Sequence, residues 1–287
     1  MSVEGPSHKS RITGRILPLF IFLICSLLLF ELPFFAFNSG SKELHLVTFV
    51  GLPLLFLTIA VLARRHSRFI QYLPAFQAYV IASIALLLMW LLDGFPGRWL
   101  GLDPKAPSGR AIVKVSDAVI LLLTVVVLGK LLRIDFDSLY LGKGTRPWLG
   151  LAIGLGGFAV MAVFAVVEAH SMDISNHRIL GWAPWILSFV LANGFFEELM
   201  FRGLFLRKFE TLLGAPLANF LTAFIFAAGH AGVSYSSDIF VFVAIALVFA
   251  LVWGYLMQRT GALWGSALFH AGADTLLIIG IFAGVKT

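Results

Sequence analysis

Nine apolar runs follow one another along the chain, at 17–37, 44–63, 73–92, 111–129, 148–167, 184–206, 216–233, 239–257 and 262–283. Each is close to the roughly 20 residues that a helix needs to cross a bilayer. Of the 287 residues 60% are hydrophobic and only 13% charged, and the mean hydropathy is +0.95. Those fractions lie far from the composition of soluble domains. The pattern predicts an all-α, polytopic membrane protein of about nine helices, with the lipid bilayer as its permanent partner.

Basic residues are spread unevenly over the predicted loops. With the N-terminus in the cytoplasm, cytoplasmic segments hold 13 of them, among them Arg15, Arg64, Arg133, Arg207 and Arg259, while the opposite side holds 6; Lys114 and Arg202 fall inside spans. By the positive-inside rule this bias predicts a cytoplasmic N-terminus, and the bacterial inner membrane is the expected location. The net charge of +6 then reflects topology, and no basic patch interleaved with aromatics points to nucleic acid. The first apolar run is longer than the core of a signal peptide and no small-x-small cleavage site follows it, so it is expected to be a retained helix. Cys25 is the single cysteine, which leaves neither an intrachain disulfide nor a cysteine-based metal site.

The best internal boundary is the segment 130–146, where Asp135, Asp137, Gly142 and Gly144 mix with four basic residues. It reads as an amphipathic interfacial segment between an N-terminal four-helix region (1–147) and a core at 148–287. Polar groups within the first four spans are few: Glu31 near Pro33, and Lys114 with Asp117 three residues on. A spacing of three puts the latter two on one helix face, where they are expected to neutralise each other. The loop after 167 gathers Glu168, His170, Asp173 and His177. Their spacing fits no metal-binding signature, so solvated loop residues are the expectation there.

The second half is different. Glu197 and Glu198 stand side by side in the run FVLANGFFEELMFRGLFL, with Arg202 four residues beyond the second. Ionisable groups in hydrocarbon cost several kcal/mol and persist where they pair, face a polar cavity or do chemistry. Only two of the seven histidines lie well inside predicted spans, His230 and His270, and Asp274 follows His270 by four, the spacing of one helix face. Phe226 and His230 are related in the same way. If Leu213-Gly214-Ala215-Pro216 is a tight turn between helices, Glu197 lies 16 residues before Leu213 and His230 lies 16 after Gly214. An antiparallel pair then brings the two to one depth, and a single polar intramembrane cavity can hold Glu197, His230, His270 and Asp274.

Adjacent helical residues point about 100° apart, so the two glutamates need not share a role. Glu198 and Arg202 are an acid and a base in the favourable order for a helical ion pair, which leaves Glu197, with Asn193 one turn earlier, to meet the histidines. Two chemistries fit such a set. Glu197 can take a proton from water while the histidines orient it and stabilise an oxyanion, or His230, His270 and Glu197 can hold Zn²⁺, which makes bound water acidic. Both end in hydrolysis of an amide.

Three motifs in order, Glu-Glu-x-x-x-Arg at 197–202, Phe-x-x-x-His at 226–230 and His-x-x-x-Asp at 270–274, resemble those of the CAAX-protease and bacteriocin-processing family of intramembrane endopeptidases. The resemblance spans about 180–285. It implies a helical core with a conical cavity in which Glu197 activates water, His230, His270 and Asp274 complete the site, and Glu198, Arg202, Asn193 and Phe226 support it. The family often carries Asn where this chain has Asp274. Its implied substrate is a membrane-associated peptide or protein. The competing readings are a non-catalytic immunity or scaffold protein, which would survive loss of Glu197, and a proton-coupled transporter.

Overall fold

The computed structural model describes residues 8–233 and 238–284. Among these the chain is helical with no strand: α1 His8–Ser26, α2 Leu32–Ser39, α3 Lys42–Arg65, α4 Leu73–Leu92, α5 Phe95–Trp99, α6 Pro107–Leu131, α7 Pro147–Ser171, α8 Asn176–Glu197, α9 Leu206–Leu213, α10 Ala215–Gly229, α11 Ile239–Thr260 and α12 Trp264–Ala283. Two π-helical turns, Leu27–Glu31 and Glu198–Gly203, join α1 to α2 and α8 towards α9.

Among the described residues eight helical units are long and apolar enough to cross a membrane. They match eight of the nine predicted spans. The ninth, at 216–233, forms α10, an apolar helix of 15 residues, about 22 Å long at the helical rise. The unit before it covers 38 residues from Asn176 to Leu213, with the π-turn inside it. It begins earlier than predicted because Ser175 caps it, its hydroxyl accepting from the Arg178 N–H, and Pro184 sits inside it without ending it.

The helix that carries His270 is held between two others by missing side chains. α12 packs against α7 and α8, and the approach is so close that a Cβ on Gly154 of α7 would lie 2.6 Å from the Gly265 carbonyl. On the α8 side, a Cβ on Gly194 would come within 2.7 Å of the Ala267 carbonyl and 2.8 Å of the Ala271 nitrogen. In lipid, where tails are as apolar as leucine, close backbone approach of this kind is a main source of helix association. Gly194 lies one turn before Glu198, so the contact that seats α12 also sets the distance from the glutamates to His270.

The hydrophobic core runs through both halves of the chain. Phe22 of α1 meets Phe209 of α9 edge-on at 4.6 Å, Tyr79 of α4 lies 4.7 Å from Phe205, and Phe30 stacks on Phe201 at 4.4 Å. The Tyr79 hydroxyl is satisfied inside this core by Ser26 at 2.9 Å and by the Phe22 carbonyl. Large apolar side chains such as Leu54, Val163 and Phe240 remain exposed, as positions facing lipid must.

The segment 130–146 is tied by hydrogen bonds to the second half of the chain. Its short 3₁₀ turn, Phe136–Leu139, is fastened to α9: Lys208 Nζ donates to the Ser138 carbonyl at 2.8 Å, Arg207 to the Asp137 carbonyl at 3.0 Å, and Tyr140 Oη to Glu210 at 3.2 Å. Burial pushes the Tyr140 phenol up to about 12, so it stays a donor. The segment continues to the α11–α12 turn, where Thr145 N–H donates to the Thr260 carbonyl and Leu263 N–H to that of Tyr140. The basic loops assigned to one side of the membrane therefore meet at one end of the bundle.

Candidate active site

Leu213 ends α9, Gly214 turns at φ +88°, and α10 starts at Ala215 with Pro216 in its first turn. The hairpin predicted from Gly and Pro is formed, and its register brings His230 Nε2 to 4.0 Å from Glu197 Oε2.

Between α8 and α9 the helix widens. The Leu204 N–H donates to the Leu199 carbonyl, five residues back, at 3.0 Å. Such π-turns insert one residue into the helical ladder and recur at functional sites. The widening begins at Glu198, immediately after Glu197, and the two carboxylates lie in unlike surroundings.

Glu198 is fully buried and fully engaged. Its Oε1 accepts from Arg202 at 2.6 Å and from His270 Nδ1 at 2.9 Å, and its Oε2 accepts from the Ser266 hydroxyl at 2.7 Å. Arg202, also 0% exposed, donates a second bond to the Ala250 carbonyl and lies over the rings of Phe226 and Trp253 at 4.9 and 5.6 Å. An aromatic face is a fitting wall for a guanidinium shielded from water. Trp253 also stacks on His270, with centroids 3.8 Å apart and planes 11° from parallel, and Phe226 meets the same imidazole edge-on at 5.5 Å. His270 is thus fixed in position by two rings and in rotation by Glu198.

Glu197 is free by comparison. Its Oε2 is buried without a hydrogen bond, 3.4 Å from His270 Nε2 and 4.0 Å from His230 Nε2. His230 is oriented by its other nitrogen, Nδ1, which lies 2.8 Å from the Phe226 carbonyl and carries the proton donated to it, so Nε2 faces Glu197. Asp274 completes the ring: one oxygen lies 3.6 Å from His270 Nε2 and the other accepts from Asn193 Nδ2 at 3.0 Å. Glu197, His230 and Asp274 line a cavity of about 180 Å³ together with Asn193 and Lys114. On the far side of His230 and Asp274 a second cavity of about 190 Å³ is walled by Phe226, Phe242, Phe249 and Trp253.

Every residue singled out in the three motifs is therefore brought to one place. Two partners were not foreseen. Ser266 sits one turn before His270, a spacing that is visible in hindsight, whereas Trp253 carried no signal, since tryptophan is ordinary in an apolar helix. The charges of Lys114 and Asp117 do act on each other, but without the close contact that their spacing allows, and Lys114 also lines the Glu197 cavity. Among the described residues it makes no ion pair within 4.0 Å, and its ammonium lies over the α8 rings of Phe196 and Phe189 at 5.4 and 6.0 Å.

Residues 179–276 match the family model of the type II CAAX prenyl endopeptidases, Rce1-like. The matched stretch contains all three motifs of this Rce1-like region, and the first 178 residues lie outside it. No curated protein and no solved structure matches the chain.

A metal ion at this site would need several of these side chains as ligands at once. Among the described residues no three His, Cys, Asp or Glu side chains converge on a point that could hold one. His270 turns Nδ1 to Glu198 and shares Nε2 between Glu197 and Asp274. The loop residues Glu168, His170, Asp173 and His177 gather no such group either; His170 Nε2 bonds to Asn176 at 2.8 Å.

Proposed function

We propose that the protein is an intramembrane endopeptidase that hydrolyses a peptide bond of a membrane-associated protein or peptide, with Glu197 as the general base. The observation that carries this reading is the single carboxylate oxygen, Glu197 Oε2, which is buried, has no hydrogen bond and faces a cavity between two oriented imidazoles. The Rce1-like match supports the reaction class.

In this reading a water molecule lies between Glu197 and His230. Glu197 takes its proton as the oxygen attacks the scissile carbonyl carbon, and His230 Nε2 fixes the direction of attack. His270, protonated on both nitrogens, keeps Nδ1–H on Glu198 and offers Nε2–H to the oxyanion beside Asp274. The proton held by Glu197 then passes to the leaving nitrogen as the C–N bond breaks, and the carboxylate is restored. Glu198 and Arg202 touch no reacting atom; they hold His270 in place. The end of the bundle where the basic loops meet is assigned to the cytoplasm of a bacterial inner membrane.

The test is cleavage of a membrane-tethered peptide library by purified wild-type and Glu197→Gln protein. Cleavage by wild type alone is expected. Equal behaviour of the two proteins would sink the reading and favour a binding or immunity role.

A further inference from the structure

Lys114 is a cation inside a spanning helix of the half that lies outside the Rce1-like match. An ammonium at membrane depth is costly and is kept for a partner or for function. The partner expected from sequence, Asp117, is not in ion-pair contact. Instead the side chain reaches the wall of the Glu197 cavity, with Nζ resting on Phe196, the residue next to Glu197. The Lys114 charge acts through space on Asp117 and, across the cavity, on Glu197 and Asp274, but the ammonium is not fixed on either of the two cavity carboxylates. Among the described residues neither lies within 4.0 Å of it.

The two cavities differ in a way that gives the site a direction. The one bounded by Phe242, Phe249 and Trp253 is almost wholly apolar. The other carries Lys114 opposite Asp274 and is closed by Phe189 and Ile281. His230 and Asp274 border both, so a chain laid across the reacting groups has an apolar part on one side and on the other meets an ammonium that no carboxylate holds in close contact. A neutral carbonyl can accept from that ammonium, but an anionic group of the chain gains more, since in a poorly solvated site a charge-assisted contact is a strong one.

We propose that Lys114 forms a carboxylate-binding subsite that positions the substrate, supplied by α6 to the motif helices. This rests on the endopeptidase reading for its meaning in catalysis, but the binding it predicts is separate from turnover. The carboxylate is either the terminus of the peptide or an acidic side chain, and the two sources are separable.

The probe is an apolar hexapeptide carrying an uncharged BODIPY label at its N-terminus, in detergent micelles, read by anisotropy against Glu197→Gln protein so that nothing is cut. Three versions are compared: the free acid, the C-terminal amide, and the amide with one glutamate near its end. The free acid is expected to bind at least about tenfold more tightly than the amide. That preference should collapse towards one in Glu197→Gln/Lys114→Met and persist in Glu197→Gln/Lys114→Arg. A glutamate amide that binds like the acid assigns the subsite to a side chain, and one that binds like the amide assigns it to the chain terminus. Equal binding of all three peptides, or a preference that survives Lys114→Met, overturns the proposal. Turnover of the same peptides by wild type separates the two ideas: a Lys114-dependent binding preference without cleavage breaks the endopeptidase reading and leaves the subsite standing, and cleavage without the preference does the reverse.

Discussion

The two sides of the π-turn at 198–203 use similar residues to opposite ends. On the Glu198 side a carboxylate, a guanidinium, a hydroxyl and an imidazole nitrogen exchange short hydrogen bonds in a sealed aromatic box. On the Glu197 side a carboxylate, two imidazole nitrogens and a second carboxylate stand 3.4 to 4.0 Å apart beside a cavity. In the first arrangement both oxygens of Glu198 are satisfied without a ligand, although Arg202 Nε has no hydrogen bond. The second is looser and opens onto the cavity, so a polar atom that enters can be held by several of its groups at once. A buried carboxylate is a stabilising element where both its oxygens are engaged and an available one where an oxygen is left over, and one residue of helix separates the two conditions.

The comparison can be broken most directly at Glu197. Glu197→Gln keeps the shape and removes the base, so cleavage should fall by about 10²- to 10⁴-fold while thermal unfolding in detergent stays close to wild type. A large loss of stability would show that Glu197 belongs to the sealed side. The converse probe is Arg202→Ala, which leaves Glu198 buried and uncompensated. It should cost about 3–5 kcal/mol in reversible unfolding, with part of that loss recovered in Glu198→Gln/Arg202→Met. Ser266→Ala removes one donor to Glu198 and should cost about 1–3 kcal/mol, with a smaller effect on turnover than on stability. At the foot of the scale, a strong chelator followed by dialysis should leave the cleavage rate unchanged. Loss of activity restored by Zn²⁺ would mean that the histidines converge on a metal during the reaction.

Much of this arrangement could be read from sequence because membrane helices impose simple rules. Apolar length gave the spans, a charge within a span marked the site, and the Gly214-Ala215-Pro216 turn set the register that brings Glu197 to His230. The parts that stayed hidden depend on helix interruptions or on neighbours from distant spans. No residue in ELMFRG announces a π-turn, and α10 ends before its apolar run does, since Ala231, Gly232 and Val233 extend the run without extending the helix. Lys114 had a plausible partner three residues away, and only packing of α6 on α8 reveals that it reaches the cavity. Ser266 and Trp253 are residue types too common in membrane helices to stand out.

The premature end of α10 gives His230 a second duty. The His230 backbone N–H turns to the Ala227 carbonyl at 3.1 Å, which deprives the Phe226 carbonyl of its regular partner four residues on. The imidazole Nδ1 of the same residue takes that place at 2.8 Å, so the side chain caps its own helix and satisfies a backbone acceptor that would otherwise be left over. Alanine at this position removes the ring from the cavity and leaves a peptide carbonyl stranded. Asparagine retains a donor for the cap while lacking the ring, and the difference between those two variants measures how much of the histidine's importance belongs to the backbone.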